Sequence, residues 1–379
     1  MSNDAVLTLE PTTISGNHRI KIETKVTSWY EWPDVSQLWG HLVDQTRASF
    51  FLTNEWVETW LEIFGEVLDP KILTFFDKRL PVGACILTSN IFRYRFLPMR
   101  RIYLNCAGEP EEDGTCIEYN RLLCLPGYES SIADAIRVYL SHSRWDELYL
   151  AGMELQNHQS AFAADGYGLQ IAQHPCWYVD LAGLRDRGLS YEDILTANAR
   201  SQIRRSIRLY EQTGDDVTLE RAQNQSAALH FFAELSRLHL VAWTRRGEHT
   251  ALASQRFQRF HQRLISRAHP LGRIDLLRVS AGQAVIGILY NFLYMGRVYF
   301  YQSGFAYEED NRLKPGLTTH YKAISYYSTH PEVAEYDFLA GDSQYKRSLA
   351  KERRELEWVT MQRHTLRVAL LEFLRGLKN

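Results

Sequence analysis

An internal repeat constrains this chain more than any other feature of its sequence. The segments WDELYLAG, residues 145–152, and VAEYDFLAG, residues 333–341, are close to superimposable, and each has the pattern of a buried strand that ends at a glycine. Each also follows a helix that is predicted to open at a Pro-Gly pair, residues 126–127 in the first half and 315–316 in the second. One supersecondary unit is therefore expected to occur twice.

The strands before these segments follow the same order in both halves. In the first half, strands are predicted at 72–77, 82–88, 101–106 and 117–125, then a helix at about 130–142 and a strand at 147–151. In the second half, strands are predicted at 274–280, 284–294 and 297–302, then a helix from 314 to about 329 and a strand at 335–339. Antiparallel strands followed by a helical crossover predict an α/β fold with two mixed, mostly antiparallel sheets. We expect domains at residues 20–175 and 176–379.

The composition excludes several classes of protein. Hydrophobic residues make up 45% and aromatic residues 12% of the 379 residues, which is ample for buried cores and excludes a disordered chain. A net charge of -2 argues against a protein that binds nucleic acid over its whole surface, although it permits a local basic patch. The five cysteines form no CxxC pair, so no metal is expected.

No membrane segment is expected either. The sequence contains no run of about eighteen apolar residues, which is the length that a membrane-spanning helix needs. Residues 1–17 are polar and lack the charged and then apolar order of a signal peptide. The expected location is therefore the cytoplasm.

Four segments in the second half, at 196–211, 235–247, 299–317 and 337–350, resemble a known family. They read TANARSQIRRSIRLYE, LSRLHLVAWTRRG, YFYQSGFAYEEDNRLKPGL and DFLAGDSQYKRSLA, and they are similar to the CelD/BioF2-like GNAT acyltransferases. That group resembles in turn the FemABX peptidyltransferases, which carry two tandem GNAT folds. The resemblance covers nearly the whole chain from about Trp29 and is sharpest from 177 to 350. It implies acyl transfer to an amine, from acyl-CoA or, in the Fem branch, from a charged tRNA.

The segment 302–318, which begins with Gln302 and Ser303, is the candidate donor-binding site. A CoA donor carries a pyrophosphate, and the N-terminus of a helix offers backbone N–H groups and a positive dipole to such an anion. Pro315 suits the first helical position, so the sequence predicts Gly316, Leu317 and Thr318 as free N–H donors, with charge from Arg312 and Lys314. The segment departs from the glycine-rich loop of ordinary GNAT proteins. The alternative is a plain helix start, as the other Pro-Gly pair suggests.

The segment 337–346 is the candidate catalytic site, because ligands of α/β sheets lie beyond the carboxyl ends of strands. The Fem resemblance implies that Lys346 stabilises the negative charge of the transition state. Tyr345 is a candidate acid for the leaving group, and Asp342 is a candidate to orient the amine or accept its proton. Asp337 is a candidate substrate-binding residue. The alternative is an ion pair of Asp342 with Lys346 at i,i+4 spacing.

His239 and Trp243 lie four residues apart on one predicted helical face, so both could reach a cleft. A neutral imidazole near pH 7 is a natural base for an ammonium substrate, and Trp243 is the candidate substrate contact beside it. The alternative is a core histidine on a mostly apolar stripe. The same alternative applies with more force to His261.

Arg200, Arg204 and Arg208 line one face of another predicted helix. This stripe is a candidate site for the 3′-phosphate of CoA, for a nucleotide-linked acceptor or for the phosphates of tRNA. The alternative is a solvated face whose arginines pair with Glu192, Asp193 or Glu211.

These features together predict an N-acyltransferase that uses acetyl-CoA or another acyl-CoA and a small-molecule amine acceptor. The amine is expected to attack the thioester directly, because no Cys or Ser lies in a recognisable nucleophile elbow. An aminoacyl-tRNA-dependent transferase of the Fem kind is the second hypothesis, and a non-catalytic tandem-GNAT binding protein is the third.

Overall fold

The computed structural model describes residues 20–154, 167–212 and 216–376. These residues form two compact units. The first unit contains residues 20–110, 114–154, 167–173 and 356–376, and the second contains 111–113, 174–212 and 216–355. The last twenty-odd described residues thus belong with the first unit, whereas the repeat in the sequence suggested a domain running from 176 to the end.

The elements follow one another along the chain without a long irregular segment between most of them. From the start they are β1 (Glu23–Ser28), α1 (Trp32–Thr46), α2 (Asn54–Leu68), β2 (Lys71–Asp77), β3 (Leu80–Tyr94), β4 (Leu97–Leu104), β5 (Leu123–Cys124), α3 (Glu129–Ser141), β6 (Glu147–Glu154) and β7 (Tyr167–Asp180). They continue as α4 (Leu181–Asp186), α5 (Tyr191–Ile194), α6 (Ala197–Glu211), β8 (Val217–Arg221), α7 (Gln225–Arg246), α8 (Gln255–Ala268), β9 (Ile274–Ala281), β10 (Ala284–Tyr294), β11 (Arg297–Phe305), α9 (Pro315–Ser328), β12 (Glu335–Ala340), α10 (Gln344–Leu349), β13 (Glu352–Arg363) and α11 (Leu366–Gly376).

The sheet of the first unit has the strand order β1-β2-β3-β4-β6-β13. Neighbouring strands are antiparallel except β4 and β6, which pair in parallel over residues 101–103 and 147–149. Helix α3 packs Ile132 and Ile136 against Leu73, Phe75 and other buried side chains of the strands. The apolar face of one helix thereby closes one face of the sheet.

The sheet of the second unit has the strand order β12-β11-β10-β9-β8, with residues 176–180 of β7 beside β12. All pairs are antiparallel except β11 and β12. Helix α9 places Ile324 and Tyr327 in the same buried cluster as Leu277, Leu289 and Val298. This helix is the counterpart of α3 in the first unit.

The two units repeat the predicted pattern, and the α/β fold with two GNAT-like parts is confirmed. In each, a long antiparallel hairpin leads through a helix to a strand that pairs in parallel over three residues with the end of the hairpin. In each, that strand contains or is followed by a glycine with positive φ, Gly152 at 62° and Gly341 at 113°. The glycines permit a left-handed backbone that residues with a Cβ rarely adopt.

The predicted strand at 117–125 is wrong for most of its length, because only Leu123–Cys124 is a strand. Cys116 and Tyr119 have φ angles of 52° and 50°, which interrupt an extended chain. Asn120 instead donates its N–H to the carbonyl of Gly152 at 2.9 Å. The segment therefore lies across the end of β6, where alternation in the sequence could not distinguish it from a strand.

Among the described residues, no helix is long and apolar enough to cross a membrane. Within the same residues, no group of three or more His, Cys, Asp or Glu side chains is arranged to hold a metal ion.

Candidate functional site

A break in the sheet of the second unit marks the candidate site. The parallel ladder of β11 with β12 ends at Tyr299 and Asp337, although β11 continues to Phe305. Beyond Asp337 the register of β12 against β7 shifts, and Leu339 has a φ of 59°. We call the gap that this leaves, bounded by residues 300–305 of β11 and 338–341 of β12, the β11–β12 crevice.

Asp337 holds this break in place. Its side chain is completely buried, and its Oδ1 accepts the N–H of Leu339 at 2.7 Å. A carboxylate that bonds the backbone two residues further on stabilises a local turn, which here offsets the strain at Leu339. The structure thus places this predicted substrate-binding residue in the wall of the crevice rather than on its surface.

His320 of α9 lies between the two strands of the crevice. Its ring centroid is 4.5 Å from that of Phe300 on β11 and 5.2 Å from that of Phe338 on β12. Tyr345 of α10 stacks on the imidazole at 5.5 Å with an angle of 19° between the rings. His320 was not among the predicted site residues, because nothing in a helical sequence tells which strands a side chain will reach.

The imidazole of His320 is uncharged. Complete burial, with a smaller contribution from the nearby charge of Lys346, lowers its pKa to about 3. Its Nδ1 is 3.1 Å from the hydroxyl of Tyr336, and its Nε2 has no hydrogen-bond partner in the described part of the chain. The crevice therefore contains a neutral, polar ring beside the predicted catalytic pair.

Tyr345 and Lys346 lie at the end of β12, where the short helix α10 begins. Lys346 is 92% buried, and its ammonium donates to the carbonyls of Leu339 at 3.1 Å and Ala340 at 2.7 Å. Burial, followed by the negative charge that Tyr307 would carry if ionised, raises the pKa of the Tyr345 hydroxyl. A protonated phenol and a fixed cation therefore lie side by side, which suits an acid and an anion-stabilising group.

Asp342 is half exposed and has two partners in the structure. Its carboxylate pairs with Arg347 at 2.6 Å and accepts the indole N–H of Trp177 at 3.3 Å. The sequence suggested an ion pair of Asp342 with Lys346, and Arg347 is the partner that the geometry provides. Asp342 thus remains near the crevice with part of its surface open to solvent.

The start of α9 provides fewer N–H donors than the sequence predicted. Pro315 is the first helical residue, as expected, and Gly316 and Leu317 follow in a half-buried first turn. Thr318 is not a free donor, because its N–H makes the first bond of the helix, to the carbonyl of Lys314 at 2.9 Å. An α-helix leaves its N–H groups unpaired only before this fourth residue, so that part of the prediction was wrong.

Two further contacts hold the start of α9. The hydroxyl of Ser206 on α6 accepts the N–H of Lys314 at 2.9 Å and lies 2.9 Å from the hydroxyl of Thr318. Arg312 binds both carboxylate oxygens of Asp310, and the pKa of Asp310 falls to about 2 through this contact. Asp310 therefore already neutralises part of the charge that Arg312 would offer to a phosphate.

His239 contacts the opposite strand of the crevice. Its Nδ1 is 2.8 Å from the carbonyl of Ser303 on β11, and its Nε2 is 3.1 Å from the hydroxyl of Thr250. Burial lowers the pKa of His239, and the ring of Trp243 stacks on it at 5.2 Å. Both ring nitrogens of His239 are thus hydrogen-bonded, as expected of a core histidine. Its contact with Thr250 was not predicted from the sequence.

Helix α7 can approach β11 this closely because Gly304 has no side chain. A Cβ at this position would overlap the backbone carbonyl oxygen of Leu235. Gln302 precedes this contact and accepts the N–H of Ser303 through its own side chain at 3.0 Å. The predicted donor-binding residues of β11 therefore lie against α7, one turn from His239.

The arginine stripe lies on α6. Arg204 pairs with Glu192 at 2.6 Å and is 61% exposed, while Arg200 donates to the carbonyl of Leu195 at 3.0 Å. Arg208 donates to the carbonyl of Arg204 at 3.3 Å. The acid-paired alternative therefore describes Arg204, and α6 reaches the start of α9 through Ser206 rather than through these arginines.

The predicted residues thus gather in two groups. Around the crevice lie residues from β11, β12, α7 and α10, namely Gln302, Ser303, Asp337, Asp342, Tyr345, Lys346, His239 and Trp243. At the start of α9 lie Lys314, Gly316, Leu317 and Thr318. A Cβ on Gly316 would be 3.4 Å from the ring of Phe305, so the two groups meet at the end of β11.

Comparisons with known proteins agree with this architecture. Residues 197–347 match the model of the acetyltransferase (GNAT) domain family. The crystal structure of FemX is similar, with a TM-score of 0.58 and 12% identity over 89% of this chain and 98% of FemX. A tandem GNAT protein from the clavulanic acid biosynthesis pathway has a TM-score of 0.49 and 13% identity, over 89% of this chain and 98% of its own. No curated protein matches the sequence.

The fold and the site together define an α/β protein with two GNAT-like units, of which the second carries the GNAT domain match. The second unit thus contains an acetyltransferase (GNAT) domain, which makes the chain an acyltransferase, and the fold of the whole chain is similar to that of FemX.

Proposed function

We propose that this enzyme is an N-acyltransferase that moves an acyl group from acyl-CoA to the amine of a small molecule or biosynthetic intermediate. The observation that carries the proposal is the break between β11 and β12, with a buried lysine and a protonated tyrosine at its end. A thioester that entered the crevice would meet a fixed positive charge beside an acid. That combination serves acyl transfer without a covalent intermediate.

The start of α9 supports binding of the CoA pyrophosphate. The N–H groups of Gly316 and Leu317 lie in its first turn, where the dipole of a fourteen-residue helix favours an anion. Lys314 adds a cation at the N-cap position. Gln302 and Ser303 on β11 would flank the arm that joins the pyrophosphate to the thioester.

The chemistry follows from the groups around Lys346. The amine attacks the thioester carbon and forms a C–N bond, Lys346 stabilises the tetrahedral oxyanion that results, and the C–S bond then breaks. Tyr345 gives its proton to the departing thiolate, and Asp342 orients the incoming amine, which attacks in its neutral form. The attacking nitrogen releases one proton to solvent and Tyr345 regains one from solvent, so amine and thioester become amide and thiol with the protons in balance.

A loop in the first unit supports the proposal that the donor binds in the second unit alone. The position equivalent to the crevice, between β4 and β6, is next to the loop of residues 117–121. Asn105 donates to the Asn120 side chain at 2.6 Å, and a Cβ on Gly152 would be 2.7 Å from the carbonyl oxygen of Ile117. The chain itself therefore occupies the place that a donor would need.

The test is binding of acetyl-CoA to the full chain and to Gly316→Asp, measured by calorimetry. The new carboxylate would lie where the phosphates bind, so we expect binding to be lost while the melting temperature holds, because an acid in the first turn favours a helix. Ser130→Asp is the matched control, because Ser130 is exposed at the same helical position of α3. Equal affinity of acetyl-CoA for both variants and for the native chain would show that the donor does not bind at the start of α9.

The second hypothesis, transfer from aminoacyl-tRNA, has its own supporting observation. Arg204 and Arg208 are exposed on α6 and could contact phosphates. The ion pair of Arg204 with Glu192 weighs against it, because a phosphate would have to displace a carboxylate. We therefore rank acyl-CoA first.

A further inference from the structure

A hydroxyl, an imidazole and a carbonyl form a chain of hydrogen bonds at the edge of β11. The hydroxyl of Thr250 is 3.1 Å from Nε2 of His239, and Nδ1 of the same ring is 2.8 Å from the carbonyl oxygen of Ser303. Thr250 lies in the segment between α7 and α8, three residues after the end of the resemblance segment 235–247.

The direction of these bonds follows from what each atom can do. A carbonyl oxygen only accepts, so Nδ1 carries the hydrogen. The neutral ring then has a lone pair at Nε2, and the Thr250 hydroxyl donates to it. Burial, with a smaller effect from the charge of Arg246, lowers the pKa of His239, so the ring is neutral near pH 7. His239 is thus a neutral base whose lone pair at Nε2 accepts a hydrogen bond from the Thr250 hydroxyl.

The chain of bonds lies beside the crevice. Ser303 belongs to the part of β11 beyond its ladder with β12, and Gly304 allows α7 to lie against that part of the strand. Trp243 covers one face of the His239 ring, and both His239 and Ser236 are buried. Thr250 is half-buried, and its hydroxyl is the end of the chain of bonds that lies away from β11.

We propose that Thr250 is a catalytic residue that carries the proton of the acceptor amine to His239. As the amine nitrogen bonds to the thioester carbon, one of its protons moves to Oγ of Thr250, and the threonine's own proton moves to Nε2. The imidazolium that forms keeps its Nδ1–H bond to the carbonyl of Ser303, and it later returns the proton to water. The proposal rests on the proposed acyl transfer to an amine.

A structural role for Thr250 is the competing explanation. Its Oγ also accepts the N–H of Leu252 at 3.3 Å and so caps the short turn at 251–253. Removal of the hydroxyl would then loosen this turn and reduce stability, without a specific effect on the chemical step. The two roles differ in which kinetic constant changes and in whether serine replaces threonine.

The experiment compares Thr250→Val with Thr250→Ser in the full chain. Thiol release from acetyl-CoA is followed with a panel of primary amines that includes amino acids, amino sugars and polyamines. Valine keeps the shape but removes the proton carrier, so we expect kcat to fall about 100-fold with little change in the KM for acetyl-CoA. Serine keeps the hydroxyl and should restore most of the rate.

Two outcomes would overturn the relay. One is native kcat in Thr250→Val, and the other is an equal loss of kcat in the serine and valine variants. A Thr250→Val variant with a lower melting temperature but native kcat counts as the first of these outcomes. Lys346→Met separates these failures from failure of the proposed function. Native turnover in that variant would show that acyl transfer does not take place at the proposed site.

A second readout needs no acceptor. Nitrogen chemical shifts of labelled imidazole distinguish the two neutral tautomers of His239, and the structure requires hydrogen on Nδ1 with a bonded lone pair on Nε2. Thr250→Val should move the Nε2 shift toward that of a free lone pair, and Thr250→Ser should not. A hydrogen found on Nε2 in the native chain would contradict the relay directly.

Discussion

A buried ammonium is costly unless its protons are bonded, and Lys346 shows how this chain meets the cost. Two of its donors reach the carbonyls of Leu339 and Ala340, which face the ammonium because β12 leaves its regular register there. Asp337 supports the same break through the N–H of Leu339. The positive charge is therefore fixed by backbone geometry, so under the proposed acyl transfer it would need no reorganisation to stabilise an oxyanion.

Lys346→Met tests this residue. The variant keeps the apolar stem but removes the charge, so we expect kcat and kcat/KM to fall about 10²–10³-fold with the Kd of acetyl-CoA nearly unchanged. Two carbonyls lose a donor, so the free energy of unfolding should also fall by about 1–3 kcal/mol. Stopped-flow kinetics, calorimetry and urea unfolding measure the three quantities.

Lys351→Met is the matched control, because it makes the same change at an exposed lysine five residues further on. It should change the rate little. A Lys346→Met enzyme that keeps more than about a third of native kcat would show that the ammonium serves the fold alone.

At the scale of elements, helix α6 positions the start of α9, because the hydroxyl of Ser206 on α6 bonds the first residues of α9. The contact holds the start of α9 in place and thereby positions its unpaired N–H groups. The arginines of α6 lie on other faces, and Arg204 is engaged by Glu192. Donor binding and arginine function are therefore separable by mutation.

Arg204→Gln with Arg208→Gln distinguishes the two enzymatic hypotheses. If both arginines contact tRNA phosphates, the logarithm of tRNA affinity should depend less steeply on the logarithm of salt concentration, by about two units of slope. We expect instead weak, salt-sensitive binding of tRNA without turnover, measured by fluorescence anisotropy and by transfer of a labelled amino acid.

Arg137→Gln in the first unit is the control, since Arg137 pairs with Asp134 on α3 in the same manner. Transfer from charged tRNA that depends on Arg204 and Arg208 would reverse the ranking of the two donors.

At the scale of the whole molecule, buried histidines couple folding to pH. Complete burial lowers the pKa of His261 to about 3, and His320 behaves alike. An unfolded histidine has a pKa near 6.5. Between these values the unfolded chain binds more protons than the folded chain, so the stability present above pH 6.5 is lost as the pH falls toward 3.

His261→Phe removes one of these groups and fits the aromatic surroundings of Phe257 and Phe260. Between pH 7 and pH 5 we expect the native chain to lose about 2 kcal/mol more unfolding free energy than the variant. Urea unfolding at the two pH values measures the difference. The exposed His364, changed to Gln, is the control, and a pH response of His261→Phe equal to that of the native chain would contradict the prediction.

Local patterns in the sequence were sufficient for the elements and for their repetition. The hydrophobic alternation of β9–β11, the start of α9 at Pro315 and the matching strands β6 and β12 all lie where the sequence predicted them, because each depends on residues close together in the chain. The resemblance to tandem GNAT proteins, which rests on four short segments, also predicted the fold correctly. The strand expected at 117–125 is the exception, since its shape depends on Gly152.

Only the tertiary structure decided which side chains meet. His320 and Thr250 carry no recognisable motif. They become candidate functional residues through contacts with residues 11 to 20 positions away in the sequence. Likewise, Asp342 pairs with Arg347, Asp337 supports a bulge, and Thr318 uses its N–H within the helix. The physical reason is that spacing along the chain determines a side chain's own helix or strand, whereas its partners depend on how separate elements pack.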